Sequence, residues 1–324
     1  ARARAAALAA HTSPFARAWS ARAAAAAADT ALLYRLARDS HANVRTAAVA
    51  GLAAVSGHAA DSVFIAQLAS DESELLMAAS AALEGSSHDG AAAALLDALD
   101  RVTTLQRETS RDGRMALLAR IQELGNASHA LRLRPYLTDF DAAVAERAAG
   151  IIGGWTGARP QTAVRALPPL PLPTYDDAVR LAQNVFMLEM AEGGEVEIRL
   201  LSFAAPANAM RFARLARSGY FDGLTIHRVV PNFVVQGGSP GANEYSGDGP
   251  FTRDELAAPN WRGTVGLSTR GRDTGDAQIF INLIDNVRLD HEYTVFGVVT
   301  RGMDVVDRMV EGAVIERVQE RPGR

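Results

Sequence analysis

The spacing of apolar residues changes about halfway along the chain, and this change limits the fold more than any other feature. Up to about residue 157 the sequence is rich in Ala, Leu and Arg, with apolar residues at helical spacing. From Asn184 onward, apolar and polar residues alternate in short runs between Gly-rich turns, as in β-strands. A chain of 324 residues is long enough for two domains. The pattern therefore predicts a helical domain followed by a domain of β-strands.

The composition excludes several classes of protein. Hydrophobic residues make up 48% and charged residues 22% of the chain, which indicates a folded protein rather than a disordered one. The net charge of −4 does not attract a polyanion, so we expect no nucleic-acid partner. With no Cys and only scattered His, the chain has neither disulfides nor thiol chemistry, and we expect no metal and no cofactor.

No uninterrupted apolar run reaches the roughly 18 residues of a membrane-spanning helix, so we expect no transmembrane segment in this chain. The sequence begins Ala-Arg-Ala-Arg without Met, which indicates either a processed precursor that has lost a leader or anchor, or a trimmed chain. The compartment stays open, with an extracytoplasmic location in a bacterium favoured over the cytoplasm.

Three segments of the helical half resemble one another around an aspartate. Asp71 follows Asp39 by 32 residues, and Asp139 follows Asp71 by 68 residues, which is about twice 34. This spacing predicts a repeat of helix pairs with one divergent unit before Asp139. Stacking the pairs would bury the apolar face of each helix. The alternative is an Ala-rich helical bundle without true repeats.

The repeat resembles HEAT-type repeats, particularly a short bacterial form in which an Asp ends the first helix and a Val-Arg pair opens the second. Val44-Arg45 shows that pair. The resemblance implies a helical-repeat domain over residues 1–157 that binds protein partners. Residues 158–183 are expected to form a linker, extended over the Pro-rich residues 166–173 and ending in a short helix, and the second domain spans 184–324.

Seven strands and two helices are predicted in the second domain. The strands are 185–188 and 196–200, which form a hairpin around Gly193-Gly194, and then 225–230, 233–236, 265–268, 278–283 and 295–300. The helices are 206–217, opened by Pro206, and 303–309. Many short strands with Gly-rich turns predict a closed β-barrel capped at its ends.

One long run in this domain carries a specific motif. Residues 221–238 read Phe-Asp-Gly-Leu-Thr-Ile-His-Arg-Val-Val-Pro-Asn-Phe-Val-Val-Gln-Gly-Gly, and three further blocks follow at 263–268, 277–282 and 289–297. Together they resemble cyclophilins of bacterial type, the peptidyl-prolyl cis/trans isomerases, over about residues 184–318. The resemblance implies an eight-stranded antiparallel β-barrel capped by two helices, and isomerase activity on proline-containing polypeptide clients.

The resemblance also implies a set of site residues. Arg228 matches the catalytic arginine, and Gln236 matches the residue that binds the substrate carbonyl. Ser268 and Thr269 belong to the segment whose backbone holds the residue before the proline. The remaining positions, which line the proline pocket, are Phe233, Val234, Phe280, Leu289 and Tyr293. The chemistry agrees, because the prolyl nitrogen regains its lone pair in the twisted transition state, and a fixed guanidinium donor stabilises it without a nucleophile or metal.

Two positions depart from the family pattern. Members often carry Trp just before the pocket leucine and His four residues after it, where this chain has Arg288 and Tyr293. We expect weak binding of cyclosporin-like ligands, because Arg288 offers neither an indole N–H nor an aromatic surface. His227, next to Arg228, is expected to point to the opposite face of its strand and to be structural.

Three functions are compatible with these features. The leading hypothesis is a peptidyl-prolyl isomerase whose helical repeats present or select clients. The alternative is a non-catalytic cyclophilin-like scaffold, or an extrinsic subunit of a larger protein complex such as a membrane-associated one. A third is a binder of proline peptides with negligible turnover. The retained Arg228, Phe233, Gln236 and Phe280 favour the enzyme, whereas the altered positions around the pocket and a helical-repeat domain of nearly half the chain favour the scaffold.

Overall fold

The computed structural model describes residues 2–323, which form two compact units, residues 2–168 and residues 169–323. Each unit has a hydrophobic core of its own. The first unit is helical, and the second is built on a β-sheet, as the change in apolar spacing predicts. The boundary lies between Pro168 and Pro169, inside the proline-rich stretch.

The first unit is an array of packed helices. They are α1 (Arg2–Leu8), α2 (Pro14–Ala26), α3 (Thr30–Leu36), α4 (Ala42–Ser56), α5 (Asp61–Gln67), α6 (Ser73–Ala82), α7 (Ala91–Thr104), α8 (Arg111–Leu124), α9 (Ala130–Leu133) and α10 (Ala142–Thr156). Helices α2, α4, α6, α8 and α10 each pack on the next, and α3, α5 and α7 pack on α4, α6 and α8. This stacking buries one face of each small helix, whereas the HEAT-like character of the repeat stays a prediction.

Two of the three repeat aspartates make the same contacts. Asp39 accepts hydrogen bonds from Arg17 Nε (2.7 Å) and Nη2 (2.9 Å), and Asp139 accepts two from Arg114 Nη1, both at 2.9 Å. Each also accepts a hydrogen bond at 2.8 Å from the backbone N–H two residues further on. Asp71 differs, because it is half exposed and pairs with Arg101 of helix α7, the second helix after it. The spacing therefore identified equivalent positions at Asp39 and Asp139 but not at Asp71.

Residues 42–67 are long and apolar enough to cross a membrane by length and composition alone, with a mean hydropathy of 1.4. In the structure they form α4, a 3₁₀ turn (Gly57–Ala60) and α5. Gly57, with φ of 51°, marks the end of α4. Val44, Leu52 and Phe64 are fully buried in the core of the helical unit. This burial accounts for the apolar composition, since core helices meet the same criterion.

The linker residues just before the proline-rich stretch run along the helical unit in extended form. The N–H of Ala163 donates to the carbonyl of Leu137 (2.8 Å), and the N–H of Arg165 donates to that of Asp139 (3.2 Å). After Pro173 the chain enters α11 (Tyr175–Ala182), close to the predicted short helix. Thr174 and Asp177 form a capping box at its start.

The second unit is an eight-stranded antiparallel sheet. Its strands are β1 (Asn184–Met190), β2 (Glu195–Leu200), β3 (Thr225–Val230), β4 (Val234–Ser239), β5 (Thr264–Leu267), β6 (Ile279–Asn282), β7 (Val295–Arg301) and β8 (Ile315–Pro322), in the spatial order β3-β4-β6-β5-β7-β2-β1-β8. Thr225 of β3 bridges Val314, and the N–H of Ile226 donates to the carbonyl of Ala313 (2.8 Å). These bonds join the two ends of the sheet and close it into a barrel, as the family resemblance implies.

Helices α12 (Pro206–Arg217) and α13 (Met303–Val306) accompany the sheet, and α13 is shorter than the predicted helix over 303–309. Phe212 of α12 lies at the centre of the barrel core. Its ring centroid is 5.2 Å from those of Phe221 and Phe296 and 5.4 Å from that of Phe186. This cluster fixes α12 against strands β1 and β7.

Strand β8 is the one strand that the alternation of residues did not locate. Within it only Ile315 and Val318 are buried, and most other residues are polar. Its pairing with β1 is supported by Arg317 and Arg321, which both form ion pairs with Glu189 at 2.7 and 2.8 Å. These contacts join residues more than 120 positions apart, so no local pattern reveals them.

Candidate active site

A cavity of about 190 Å³ lies on the barrel where β3, β4, β5 and β6 are neighbours. The structure places all nine residues implied by the family resemblance around it. The lining consists of these nine residues and the acidic Glu244: Arg228, Phe233, Val234, Gln236, Glu244, Ser268, Thr269, Phe280, Leu289 and Tyr293. Residues from five separate segments of the chain therefore converge on one pocket.

The β3–β4 hairpin positions the two polar residues at the centre of the site. Arg228 and Gln236 are direct partners in the antiparallel register. The turn contains Pro231 and Asn232, and Asn232 has φ of 55°, a left-handed conformation that Asn tolerates better than most residues. Phe233 follows the turn just before β4, although the sequence placed it inside the strand. A short turn thus holds Arg228, Phe233 and Gln236 in fixed relation.

The Gln236 side chain is buried and its orientation is fixed by hydrogen bonds. Its Nε2 donates to Ser268 Oγ (2.9 Å) and to Oε1 of the fully buried Gln278 (3.1 Å). Its Oε1 then accepts a hydrogen bond from Arg228 Nη1 (3.4 Å). The carboxamide therefore connects Ser268 just after β5, Gln278 just before β6 and the guanidinium in one polar network.

Glu244 contacts Arg228 from the loop after β4, and the sequence did not reveal it. The Oε1 atom of Glu244 lies 3.4 Å from Arg228 Nε. The Glu244 backbone carbonyl accepts a hydrogen bond from Arg270 Nη1 (2.7 Å), and Arg270 pairs with the buried Asp276 (3.3 Å). Burial raises the pKa of Asp276, which the neighbouring guanidinium opposes. Among residues 2–323, no side chain or carbonyl accepts from Arg228 Nη2, so that group is free to donate to a ligand.

The apolar wall of the cavity depends on one glycine. Phe280 is buried, and its ring meets the Tyr293 ring edge-on with centroids 6.0 Å apart. Gly266 lies opposite Phe280 in the β5–β6 register. A Cβ on Gly266 would lie 2.6 Å from Phe280 Cε1 and closer still to Cζ. Only glycine leaves room for the ring in this position.

We expect Gly266→Ala to displace the Phe280 ring and to lower kcat/KM for a proline peptide at least tenfold, while overpacking costs about 1–3 kcal/mol of stability. Peptide exchange kinetics and urea unfolding measure the two effects. Gly150→Ala is the control, since its added Cβ meets nothing within 4 Å. Full activity in Gly266→Ala would show that Phe280 does not need this glycine to line the pocket.

His227 is buried next to Arg228 but does not line the cavity. Burial, reinforced by the nearby Arg228 charge, lowers the pKa of His227 to about 4. The imidazole is therefore neutral at physiological pH. This placement agrees with a structural role.

The depressed pKa predicts a loss of stability in acid. Protonation of His227 is easier in the unfolded chain, where its pKa is about 6.5, so its contribution is complete above that pH and is lost as the pH falls towards 4. Between pH 7 and pH 4.5, we expect the free energy of unfolding of the second unit to fall by about 2–3 kcal/mol more in the unaltered chain than in His227→Leu. Urea unfolding at both pH values measures this difference, and equal losses in the two proteins would refute it.

Comparison with known proteins agrees with this geometry. The family model described as cyclophilin type peptidyl-prolyl cis-trans isomerase/CLD matches residues 185–323. A peptidyl-prolyl cis-trans isomerase of Helicobacter pylori is 36% identical over 154 residues, which cover 46% of this chain and 94% of that protein. Peptidyl-prolyl cis-trans isomerase B of Bacillus subtilis is 36% identical over 137 residues, covering 41% of this chain and 94% of its own length.

Among solved structures, a cyclophilin type peptidyl-prolyl cis-trans isomerase of Cryptosporidium parvum is similar over 44% of this chain and 99% of its own, with 20% identity and a TM-score of 0.41. The family match and the bacterial relatives define the class: the second unit is a cyclophilin-type peptidyl-prolyl cis-trans isomerase domain. The chain belongs to the cyclophilin family, and it carries this domain behind a helical unit.

Proposed function

We propose that this chain catalyses cis/trans isomerisation of X–Pro bonds in extended polypeptides, with Arg228 as the catalytic residue. The observation that carries the proposal is the placement of Arg228 and Gln236, joined by a hydrogen bond, at an apolar cavity walled by Phe280. The cavity offers a cation, an amide and aromatic rings in one site. These are the groups that a twisted prolyl amide requires.

The reaction needs no covalent intermediate. The X–Pro amide resists rotation by roughly 18–20 kcal/mol because its C–N bond has partial double-bond character. In the twisted transition state the nitrogen becomes an acceptor, and the free Nη2 of Arg228 is the donor that meets it. Arg228 retains its proton throughout, so turnover needs no change of protonation at this residue.

The remaining residues hold the substrate. The proline ring fits against Phe233, Phe280 and Leu289, while Ser268 and Thr269 support the residue before the proline. Gln236 Nε2 already donates to Ser268 Oγ and Gln278 Oε1, so a substrate carbonyl takes the place of one of these acceptors. Gln236 holds the substrate carbonyl while Arg228 donates a hydrogen bond to the prolyl nitrogen. Together these contacts favour the twisted amide over either planar isomer.

We further propose that protein partners or clients bind the helical unit. The stacked helices α2, α4, α6, α8 and α10 form an extended layer of the kind that supports protein binding surfaces. A client held by one unit reaches the other at a raised effective concentration, since both belong to one chain.

Refolding of an unfolded protein whose slow phase is X–Pro isomerisation tests both proposals. Catalytic amounts of the full chain are expected to accelerate that phase, with a KM at least tenfold below the KM for a blocked Ala-Pro tetrapeptide. A slow phase that stays at its uncatalysed rate contradicts isomerase activity. Acceleration with equal KM values for the two substrates contradicts client binding by the helical unit, but it still supports isomerase activity.

A further inference from the structure

Arg288 lies beside the cavity, and no carboxylate within residues 2–323 pairs with it. Its guanidinium stacks over the ring of Phe233, 4.3 Å from the centroid, and Phe233 lines the cavity. The side chain is exposed, and within residues 2–323 it forms no ion pair. The stacked guanidinium is held in place by the ring, while its N–H donors face outward in its own plane. A positive charge is thus fixed at one side of the pocket.

The carboxylates near Arg288 in sequence have other partners. Asp285 accepts the backbone N–H of residue 262 (2.8 Å), and Asp290 accepts that of residue 260 (2.7 Å). Glu292 pairs with Arg272 (3.5 Å). On Arg228, the ion pair with Glu244 balances the charge of the catalytic group. Within residues 2–323, the positive charge of Arg288 therefore has no carboxylate partner, whereas that of Arg228 has one.

Strand β6 shows which part of a substrate reaches Arg288. The N–H of Ser268 donates to the carbonyl of Gln278, just before β6, whereas the N–H of Leu283, just after it, donates to the carbonyl of Phe233. These two points are about 16 Å apart, at about 3.3 Å per residue. The Phe233 ring lines the cavity between these two points and also carries the Arg288 guanidinium. A peptide with its preceding residue at Ser268 and its proline against Phe233 therefore brings the next one or two residues, at about 3.3–3.6 Å each, to Arg288.

We propose that Arg288 selects substrates that carry a carboxylate side chain one or two residues after the proline. This inference rests on the proposed isomerase function, and it names the substrate class that the site prefers. The carboxylate forms a hydrogen-bonded ion pair with the outward edge of the guanidinium, whose face stays on Phe233. A lysine in the same place meets like charge and is disfavoured.

Blocked hexapeptides with a central Ala-Pro test the proposal by NMR exchange at low ionic strength. One peptide has two Asp after the proline, one has two Lys there, and one has the two Asp before the alanine. With the unaltered chain, we expect kcat/KM to be about fivefold higher for Asp after the proline than for Lys, as an exposed ion pair gives. The ratio is expected to fall to about one in Arg288→Gln and in high salt.

Arg308→Gln is the matched control, because Arg308 is exposed, pairs with Asp304 and does not line the cavity. It is expected to keep the fivefold ratio. Equal acceleration of the Asp and Lys peptides by the unaltered chain, or a ratio unchanged by Arg288→Gln, would overturn the inference while the isomerase function stands. A stronger preference for Asp before the alanine would also overturn it. Acceleration of none of the three peptides would instead refute the proposed function.

Discussion

Arg228→Ala is expected to lower kcat/KM for an Ala-Pro peptide about 100-fold without unfolding the barrel. Within residues 2–323 the guanidinium contacts Gln236 through Nη1 and Glu244 through Nε, which leaves Nη2 to donate to the substrate nitrogen. Removing a preorganised transition-state donor costs about 100-fold or more in rate. Arg228 is partly exposed, so its loss leaves no large void in the core. Exchange NMR on the peptide measures the change.

Two further variants make the result specific. Arg228→Lys keeps the charge but loses the planar fork, so we expect it to recover only a small part of the activity. Arg308→Ala removes an exposed arginine of the same domain that does not line the cavity, and it is expected to retain full activity. If kcat/KM of Arg228→Ala is lowered by less than about threefold while that of the control is unchanged, the assignment of Arg228 as the catalytic residue is wrong.

Asp139→Ala is expected to destabilise the helical unit by about 3–5 kcal/mol, because it leaves Arg114 as a buried charge without its main partner. Arg114 is fully buried, and both oxygens of Asp139 accept from its Nη1 at 2.9 Å. The Arg114 guanidinium also lies over the Phe140 ring, 4.2 Å from its centroid. Urea unfolding followed by the helical circular dichroism signal measures the shift.

Asp71 supplies the matched control from the same repeat. It is half exposed and pairs with a partly exposed arginine, so Asp71→Ala is expected to cost less than about 1 kcal/mol. The double variant Arg114→Met with Asp139→Leu removes both charges and is expected to be more stable than Asp139→Ala alone. Similar losses in Asp71→Ala and Asp139→Ala would contradict the buried ion pair as the cause.

Much of the second unit could be predicted from sequence because its signals are local or carried by a long motif. The hairpin turn at Gly193-Gly194 appears as predicted, and both residues have φ near 100°. Helix α12 has the predicted bounds, since Pro206 opens it and its apolar residues share one face. The nine site residues converge on one cavity because the motif preserves their order and spacing along the strands.

Features that depend on contacts between distant residues were missed. Glu244 lies in a loop without periodicity, and only the fold brings it to Arg228. Strand β8 is too polar to show alternation, and its ion pairs with Glu189 come from the first strand. In the helical unit, Asp71 shares the spacing of Asp139 but not its buried arginine, because helix packing decides which partner each aspartate meets.

The most direct test of the central claim is two-dimensional exchange NMR of a blocked Ala-Pro peptide with and without a small molar fraction of the full chain. Without catalysis the two isomers interconvert over tens to hundreds of seconds, so a mixing time of about 0.5 s gives no exchange peaks. We expect clear cis-to-trans exchange peaks once the protein is added. Their absence with the folded chain present would contradict the assignment of this pocket as a prolyl isomerase site.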